Sequence, residues 1–180
     1  MKQDLHIREL INRLARLDAA TAWGGDLNPT QRAVLDYLGQ ANRFSRSPSH
    51  VAEYLGTTRG TVSQSFKSLM QKGYVSEHRS EFDKRAISFE LTESGKEISN
   101  ANNRFADALT NIADNEKDAL LGSLQNVLIG MLRKNEGRPF GVCKTCTHHQ
   151  ATPDGGFCQL LSEPLLPHET QQICLEQKAK

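Results

Sequence analysis

The first 142 residues contain no cysteine, and the whole chain lacks a long apolar run. No stretch approaches the ~20 apolar residues that a membrane-spanning helix needs, and the mean hydropathy is −0.55. The charged N-terminus leads directly into an amphipathic pattern, so we expect no signal peptide and a cytoplasmic location. The sequence also lacks a nucleophile–base spacing, a phosphate-binding loop and a metalloprotease helix. We therefore expect a soluble protein without enzymatic activity.

The chain as a whole also lacks an excess of charge of either sign. Lys and Arg number 22 against 21 for Asp and Glu, a net charge of +1, whereas nucleic-acid-binding proteins usually carry a basic surface. The charges are nevertheless unevenly distributed. Residues 43–85 contain eight basic and four acidic side chains, while residues 86–136 contain five basic and eight acidic ones. A basic segment inside a neutral chain leaves nucleic acid open as a partner.

Apolar residues at helical spacing predict three helices near the N-terminus. The first covers residues 3–18, the second runs over about 29–44, and the third over about 48–55. Asn28 and Ser47 are suited to cap the second and third helices, because each precedes a proline at the first helical position.

The next helix is the most informative element of the pattern. Over residues 59–72 it carries one apolar stripe, formed by Val62, Phe66, Leu69 and Met70. Its opposite face is polar, weakly cationic and free of carboxylates. Such a face suits the major groove of DNA, where it offers donors to base edges and phosphates. A merely solvated helix face is the alternative interpretation.

Two short strands follow, at residues 74–75 and 87–91, around a polar tip over 77–84. The order helix, helix, turn, helix and hairpin predicts a winged helix-turn-helix. Lys84 and Arg85 near the tip suit the minor groove, whose negative potential favours Arg. The candidate DNA contacts are Arg59, Gly60, Thr61, Ser63, Gln64, Lys67, Lys84 and Arg85.

These motifs resemble the MarR family of transcriptional regulators over about residues 3–135. The resemblance lies in Asn28-Pro29-Thr30-Gln31, Ser49-His50-Val51-Ala52-Glu53-Tyr54-Leu55-Gly56, Thr61-Val62-Ser63-Gln64, Lys72-Gly73-Tyr74-Val75 and, most specifically, Asp83-Lys84-Arg85 followed by Leu91-Thr92-Glu93-Ser94-Gly95. It implies a homodimeric regulator, expected to be a repressor, on a pseudo-palindromic operator of double-stranded DNA. Helix 59–72 would be the recognition helix and Arg85 the minor-groove contact.

The resemblance also implies a pocket for a small-molecule effector between the dimer helices and the DNA-binding lobe. Four residues are candidates for its lining, but each is equally suited to the core: His6, Trp23, Phe44 and Tyr54. They identify no particular ligand.

Two further apolar stripes predict helices at residues 96–113 and 116–134. The second stripe is too wide for an isolated winged helix domain to cover, so we expect it to pair with the first helix and a second chain. A helical hairpin within a monomer is the alternative. The predicted fold is therefore mainly α with a small β-hairpin wing, in four parts: an N-terminal dimerisation helix (1–26), a winged helix-turn-helix (27–95), C-terminal dimerisation helices (96–136) and a four-cysteine module (137–180).

All four cysteines lie in the last quarter of the chain, at Cys143, Cys146, Cys158 and Cys174. Because thiols stay reduced in the cytosol, clustered cysteines there indicate metal binding or redox chemistry in preference to disulfide bonds. Four thiolates satisfy a tetrahedral zinc site and equally an iron–sulfur cluster. The wide, irregular gaps and apolar surroundings favour an iron–sulfur cluster, with zinc as the alternative and uncoordinated redox thiols as a third reading.

Three histidines are alternative ligands in this tail, namely His148, His149 and His168. We expect them to be exposed loop residues, because four cysteines already complete a site. Loss of a cluster is expected to unfold the tail and alter the spacing of the two recognition helices, which makes the module a sensor of redox or iron state. A purely structural metal is the simpler alternative, and a metal-bearing protein-interaction or electron-transfer protein is the alternative of another class.

Overall fold

Helices form most of the chain up to residue 134, and short strands form the wing and the C-terminal tail. The computed structural model describes residues 2–20, 25–79, 87–100, 104–134 and 137–179. The helices are α1 (Gln3–Ala20), α2 (Pro29–Gln40), α3 (Pro48–Tyr54), α4 (Arg59–Gln71), α5 (Glu93–Asn100), α6 (Arg104–Leu109) and α7 (Asp114–Lys134). The strands are β1 (Val75–Arg79), β2 (Ile87–Leu91), β3 (Gly141–Val142), β4 (His149–Thr152), β5 (Gly155–Cys158), β6 (Glu163–Leu165) and β7 (Ile173–Cys174). Within these ranges no helix is both long and apolar enough to cross a bilayer.

The starts of the helices follow local capping chemistry, as the sequence predicts. The predicted end of the second helix near residue 44 is wrong: α2 ends at Gln40, because Ala41 is extended and pairs with Ile173. Asn28 accepts the Gln31 backbone N–H at 2.9 Å, and the Gln31 side chain accepts the Asn28 N–H at 3.1 Å, which completes a capping box for α2. Ser47 caps α3 in the same way by accepting the His50 N–H. Gly73 follows α4 with a φ of 76°, a conformation that glycine adopts without steric cost.

The main hydrophobic core lies where α2, α3 and α4 pack against the wing strands. The predicted α4 stripe is confirmed, since Val62, Phe66 and Leu69 are buried and Met70 packs against the same core. The Phe66 ring stacks on Phe89 of β2 with 3.8 Å between ring centroids. This contact fixes α4 relative to the wing.

The wing is an antiparallel pair in which Val75 of β1 faces Leu91 of β2 and Arg79 faces Ile87. The strand β1 is longer than the sequence indicates, because the polar residues 77–79 pair with β2 rather than forming the tip. The predicted end of this strand is wrong, because it was inferred from side-chain polarity. The hydrogen bonds between strands join backbone groups and do not depend on that polarity. Residues 80–86 lie outside the described ranges.

The predicted helix over 96–113 is divided in the structure into α5 and α6, with residues 101–103 between them outside the described ranges. The helix α5 begins early because the Thr92 hydroxyl accepts the Gly95 N–H at 3.1 Å. It packs against α2, while α6 ends where Thr110 bonds the Asp107 carbonyl. Neither α1 nor α7 has a buried residue in this single chain.

The tail after residue 137 is a small β unit joined to the winged helix domain. Its strands form an antiparallel pair, β3 with β7, and an antiparallel sheet in the order β4-β5-β6. Cys143, Leu165 and Cys174 are buried together in a second core, against which Cys158 and Phe44 of the winged helix domain pack. The tail therefore adjoins the segment between α2 and α3.

Candidate nucleic-acid interface and cysteine site

The exposed face of α4 carries all six candidate DNA contacts predicted on this helix. Its buried side comprises Val62, Ser65, Phe66 and Leu69, which leaves the other face open to solvent. The exposed candidates are Arg59, Gly60, Thr61, Ser63, Gln64 and Lys67. No acidic residue occurs anywhere in α4. An exposed helix face with donors and without carboxylates is complementary to the edges of bases and to phosphates.

The N-terminus of α4 is held by Thr58. The Thr58 hydroxyl accepts the Thr61 N–H at 3.1 Å and lies 2.9 Å from the Thr61 hydroxyl. The first turn therefore presents Arg59 and Gly60 at the positive end of a helix dipole. Ser68 does not belong to this face, because its hydroxyl accepts a hydrogen bond from the Gln31 side chain at 2.9 Å.

The remaining two candidates, Lys84 and Arg85, lie outside the described residues. Within the described part of the wing, Arg79 forms an ion pair with Glu77 at 2.8 Å, and His78 lies 3.6 Å from the Glu90 carboxylate. The first contact lies within β1 and only the second joins the two strands; since these side chains are largely exposed, the contacts contribute little to the stability of the hairpin.

The cysteines converge at one end of the tail. Cys143 begins a short 3₁₀ turn after β3, and its N–H donates to the Gln172 carbonyl beside β7. The Cys146 N–H closes this turn on the Cys143 carbonyl at 3.0 Å, and Cys174 lies opposite Gly141. Cys158 on β5 lies opposite His149 on β4. Residues far apart in sequence are thus assembled by two small strand pairings.

The environments of two of the thiols act on metal binding in opposite directions. The sulfur of Cys146 accepts backbone N–H groups from His148 and Lys178, both at 3.4 Å, and such bonds stabilise ligating thiolates. Burial, together with the neighbouring thiols of Cys174, Cys158 and Cys146, raises the pKa of the Cys143 thiol to about 12. Without a cation this thiol is protonated and unreactive at neutral pH; a metal must displace its proton.

The structure does not contain a preformed metal geometry. Among the described residues, no three His, Cys, Asp or Glu side chains stand in positions to coordinate one ion. The expected exposure of the histidines is wrong for His148 and His149, whose Nε2 atoms are buried without a hydrogen-bond partner. The pairing of β4 with β5 covers His149, a contact that the sequence pattern does not reveal. His168 is exposed, as expected.

Sequence reasoning did not identify the residues that join the tail to the winged helix domain. Arg43 Nη1 donates to both carboxylate oxygens of Glu169. The Ser45 hydroxyl accepts the Leu175 N–H at 2.9 Å. Phe44, considered for a ligand pocket, contacts the cysteine core instead. No local signal distinguishes these residues, because their partners lie more than one hundred positions away in the chain.

The other pocket candidates are placed differently. Tyr54 packs against the rings of Tyr37 and Phe140, with ring centroids 4.6 and 5.3 Å away. His6 is exposed on α1, and Trp23 lies outside the described residues. A hollow of about 590 Å³ lies between α1, α2 and α5, lined by other residues such as Ala15, Arg32 and Ser99.

Comparisons with known proteins agree with this architecture. Residues 25–86, about a third of the chain, match the model of the MarR family. No curated protein sequence matches the chain significantly. Among solved structures, Streptococcus pneumoniae FabT in complex with DNA is 24% identical, with a TM-score of 0.57 over 73% of this chain and 95% of its own.

Two further solved structures are similar over the same share of this chain. A MarR/EmrR family transcriptional regulator from Acinetobacter sp. ADP1 is 25% identical, with a TM-score of 0.54 over 73% of this chain and 92% of its own. A complex of S. aureus MepR with DNA is 18% identical, with a TM-score of 0.57 over 73% and 99% of the two chains. The prediction of a mainly helical winged helix-turn-helix is confirmed. Residues 25–86 thus match the MarR family model, and about three quarters of the chain shares the winged helix fold of the similar solved structures.

Proposed function

We propose that the chain is a DNA-binding transcriptional regulator of the MarR type, acting as a repressor. The observation that carries the proposal is the exposed, carboxylate-free face of α4, held on a rigid core next to a wing. Two of the similar structures, FabT and MepR, are complexes with DNA. The local excess of basic residues over 43–85 supports a nucleic-acid partner in spite of the neutral whole chain.

The proposed active form is a homodimer. The apolar stripes of α1 and α7 are exposed in the single chain, each residue by 38–61%, and water does not favour an uncovered apolar surface of this extent. The stripe of α1 consists of Ile7, Leu10, Ile11, Leu14 and Leu17, and that of α7 of Leu120, Leu121, Leu124, Val127, Leu128 and Met131. A second copy related by a twofold axis would cover both and present two α4 helices to a pseudo-palindromic operator.

The proposed cofactor is a metal centre held by Cys143, Cys146, Cys158 and Cys174. The packing of Cys143, Cys158 and Cys174 around one core and the N–H groups directed at the Cys146 sulfur support it. An iron–sulfur cluster that senses redox or iron state is the favoured occupant, and a structural zinc ion is the alternative. With a structural zinc ion, a small-molecule effector would supply the regulation, and the hollow between α1, α2 and α5 offers room for one.

DNA binding is tested with an operator selected from a random duplex pool and titrated at several salt concentrations. Lys67→Ala should weaken binding to all sequences and reduce the salt dependence by about one phosphate contact. Gln64→Ala should instead change the base preference. Lys144→Ala removes the same charge from the tail and should leave both unchanged. Selection of no operator, or binding indifferent to both α4 variants, would favour the protein-interaction alternative.

The metal centre is tested on protein purified without oxygen, by its visible spectrum and by analysis of iron, sulfide and zinc. Cys158→Ser should lose the metal, whereas His168→Ala should keep it. A colourless protein with one zinc ion per chain would show that the site holds zinc and no iron–sulfur cluster. Equal operator affinity of the loaded and stripped protein at one salt concentration would refute sensing.

A further inference from the structure

The tail and the winged helix domain meet at one short segment, residues 41–46 between α2 and α3, here termed the joint. We infer that the joint transmits the state of the cysteine site to the wing and to the DNA-binding helices. This inference rests on the proposed function, since it supplies the route by which the metal centre would control DNA binding.

Backbone hydrogen bonds tie the joint to both sides of Cys174. Ala41 forms a parallel bridge with Ile173, and the Asn42 N–H donates to the Ile173 carbonyl at 2.9 Å. On the other side of the cysteine, the Leu175 N–H donates to the Ser45 hydroxyl. Any change in the backbone that carries this thiol therefore acts directly on the joint.

Ser45 is the centre of the joint and is completely buried. Its hydroxyl donates to Asn42 Oδ1 at 2.8 Å while it accepts from Leu175. Its carbonyl accepts the Tyr37 hydroxyl at 2.7 Å. Because the hydroxyl and carbonyl of this buried serine all have hydrogen-bond partners, one arrangement is strongly favoured. If the Leu175 N–H moves away, the Ser45 hydroxyl oxygen loses its donor, and the hydrogen bonds to Asn42 and Tyr37 are disturbed.

Side chains strengthen the same junction. The Arg43 guanidinium pairs with Glu169 and also donates to the Pro164 carbonyl at 2.7 Å. Phe44 packs against the core formed by Cys143 and its neighbours. The joint thus contacts the tail through main chain, an ion pair and an apolar side chain.

From the joint the connection continues to the DNA-reading elements. The Arg46 carbonyl accepts the Phe89 N–H of β2 at 3.1 Å, and the Arg46 guanidinium lies 3.4 Å from the Glu90 carboxylate. The next residue, Ser47, caps α3. The Phe89 ring in turn stacks on Phe66 of α4. A displacement of the joint is therefore passed to the wing and to both helices of the helix-turn-helix.

A second anchor keeps the start of the tail in place. Phe140 has a φ of 47°, an unfavourable conformation for a bulky residue, and its ring packs edge-on against Tyr37 and Tyr54. With the tail held there, loss of the metal would loosen the segment around Cys174 rather than release the whole tail. The coupling is also reciprocal: DNA binding must change metal affinity by the same factor as metal changes DNA affinity.

The test is amide hydrogen exchange of the full-length protein, as purified with its metal and after removal of the metal by a chelator. The Leu175 and Asn42 amides should exchange at least about tenfold faster in the stripped protein, and the Phe89 amide should follow them. Amides inside α4 should not change, because α4 would move as an intact helix whose internal hydrogen bonds persist. Opening at Leu175 without any change at Asn42 and Phe89 would overturn the inference while leaving the proposed DNA binding untouched.

Two variants distinguish a specific effect of the joint from a general loss of stability. Ser45→Ala in the metal-loaded protein should raise exchange at Asn42 and Leu175 and reduce the effect of stripping on operator affinity. Ser94→Ala makes the same chemical change on the exposed surface of α5 and should alter neither. If Ser45→Ala fails to fold, Glu169→Gln gives the same readout through the ion pair.

Two further results count against the inference. A variant of the joint that responds to stripping as the wild type does overturns it. A chain that binds neither iron nor zinc overturns it together with the metal centre. Exchange coupling in a protein that selects no operator would instead refute the proposed DNA binding alone.

Discussion

Removal of the Arg43 side chain should destabilise the folded chain, because Glu169 would lose its cationic partner. The Glu169 side chain is only 5% exposed and that of Arg43 is 36% exposed, and the same carboxylate accepts the Leu166 N–H at 2.8 Å. Exposed ion pairs contribute about 0–1 kcal/mol, whereas breaking a buried pair costs about 3–5 kcal/mol. The buried Glu169 would keep only the Leu166 N–H as a partner. We therefore expect a value between these limits, with Arg43→Ala lowering the free energy of unfolding by about 2 kcal/mol.

The assay is urea unfolding of the wild type, Arg43→Ala, Glu169→Gln and the double variant, all in the same metal state. The double-mutant cycle should give a coupling energy of at least about 1 kcal/mol. The pair of Arg138 and Glu176 is a matched control, with a distance of 3.0 Å and side chains 49% and 46% exposed. Its coupling should stay below about 0.5 kcal/mol. Equal couplings for the two pairs would refute the reasoning from burial.

The same pair has a defined pH dependence. Burial raises the pKa of the Glu169 carboxyl, but the Arg43 guanidinium and the Leu166 N–H outweigh burial and hold this pKa below its usual value. A carboxyl with a lowered pKa stabilises the fold above the pKa of the unfolded chain, and this stabilisation is lost as pH falls through the folded pKa. The coupling energy of Arg43 and Glu169 should therefore disappear in acid, and a coupling independent of pH would contradict the assignment.

Three further predictions concern the other parts of the molecule. Gly60→Ala should stabilise the chain by about 0.5–1 kcal/mol in urea unfolding, because alanine loses less backbone freedom on folding and its Cβ would meet only Thr58 Oγ1, at 3.8 Å. The same variant should weaken DNA binding if the groove approaches this backbone closely. Burial, followed by the charge of Arg138, lowers the pKa of His50; wild type should therefore lose stability relative to His50→Gln as pH falls below about 6.5, and a parallel loss in both proteins would contradict this. Leu124→Glu should convert the dimer to monomers in sedimentation analysis, whereas Asn126→Glu, on the opposite side of α7, should not; a monomeric wild type would refute the proposed interface.

Periodicity and capping residues predict the winged helix domain well, because these signals act over a few residues. The capping box at Asn28, the buried stripe of α4 and the glycine after α4 all depend on neighbours within one or two helical turns. The end of β1 was misplaced because polar residues pair in a strand as well as apolar ones. The division between α5 and α6 was missed because one apolar stripe can continue across two helices.

For the candidate sites, residue type and local spacing were informative, whereas contacts between distant segments could not be predicted. Cysteine count and spacing indicate a four-thiol site, and the absence of carboxylates from α4 indicates a DNA-facing surface. The burial of the Nε2 atoms of His148 and His149 was not predictable from local pattern; for His149 it accompanies the pairing of β4 with β5. The roles of Lys84 and Arg85 stay predictions, since they lie outside the described residues.

The sequence by itself determined which face of α4 is buried, where this helix begins and ends, and that the thiols are confined to the tail. These properties follow from hydrophobic period, caps and composition, which are local. Only the tertiary structure showed that the tail packs against residues 41–46 through Ser45, Arg43 and Phe44. Such contacts join positions more than one hundred residues apart, and chain folding brings them together through shape and hydrogen-bond complementarity that no local pattern records.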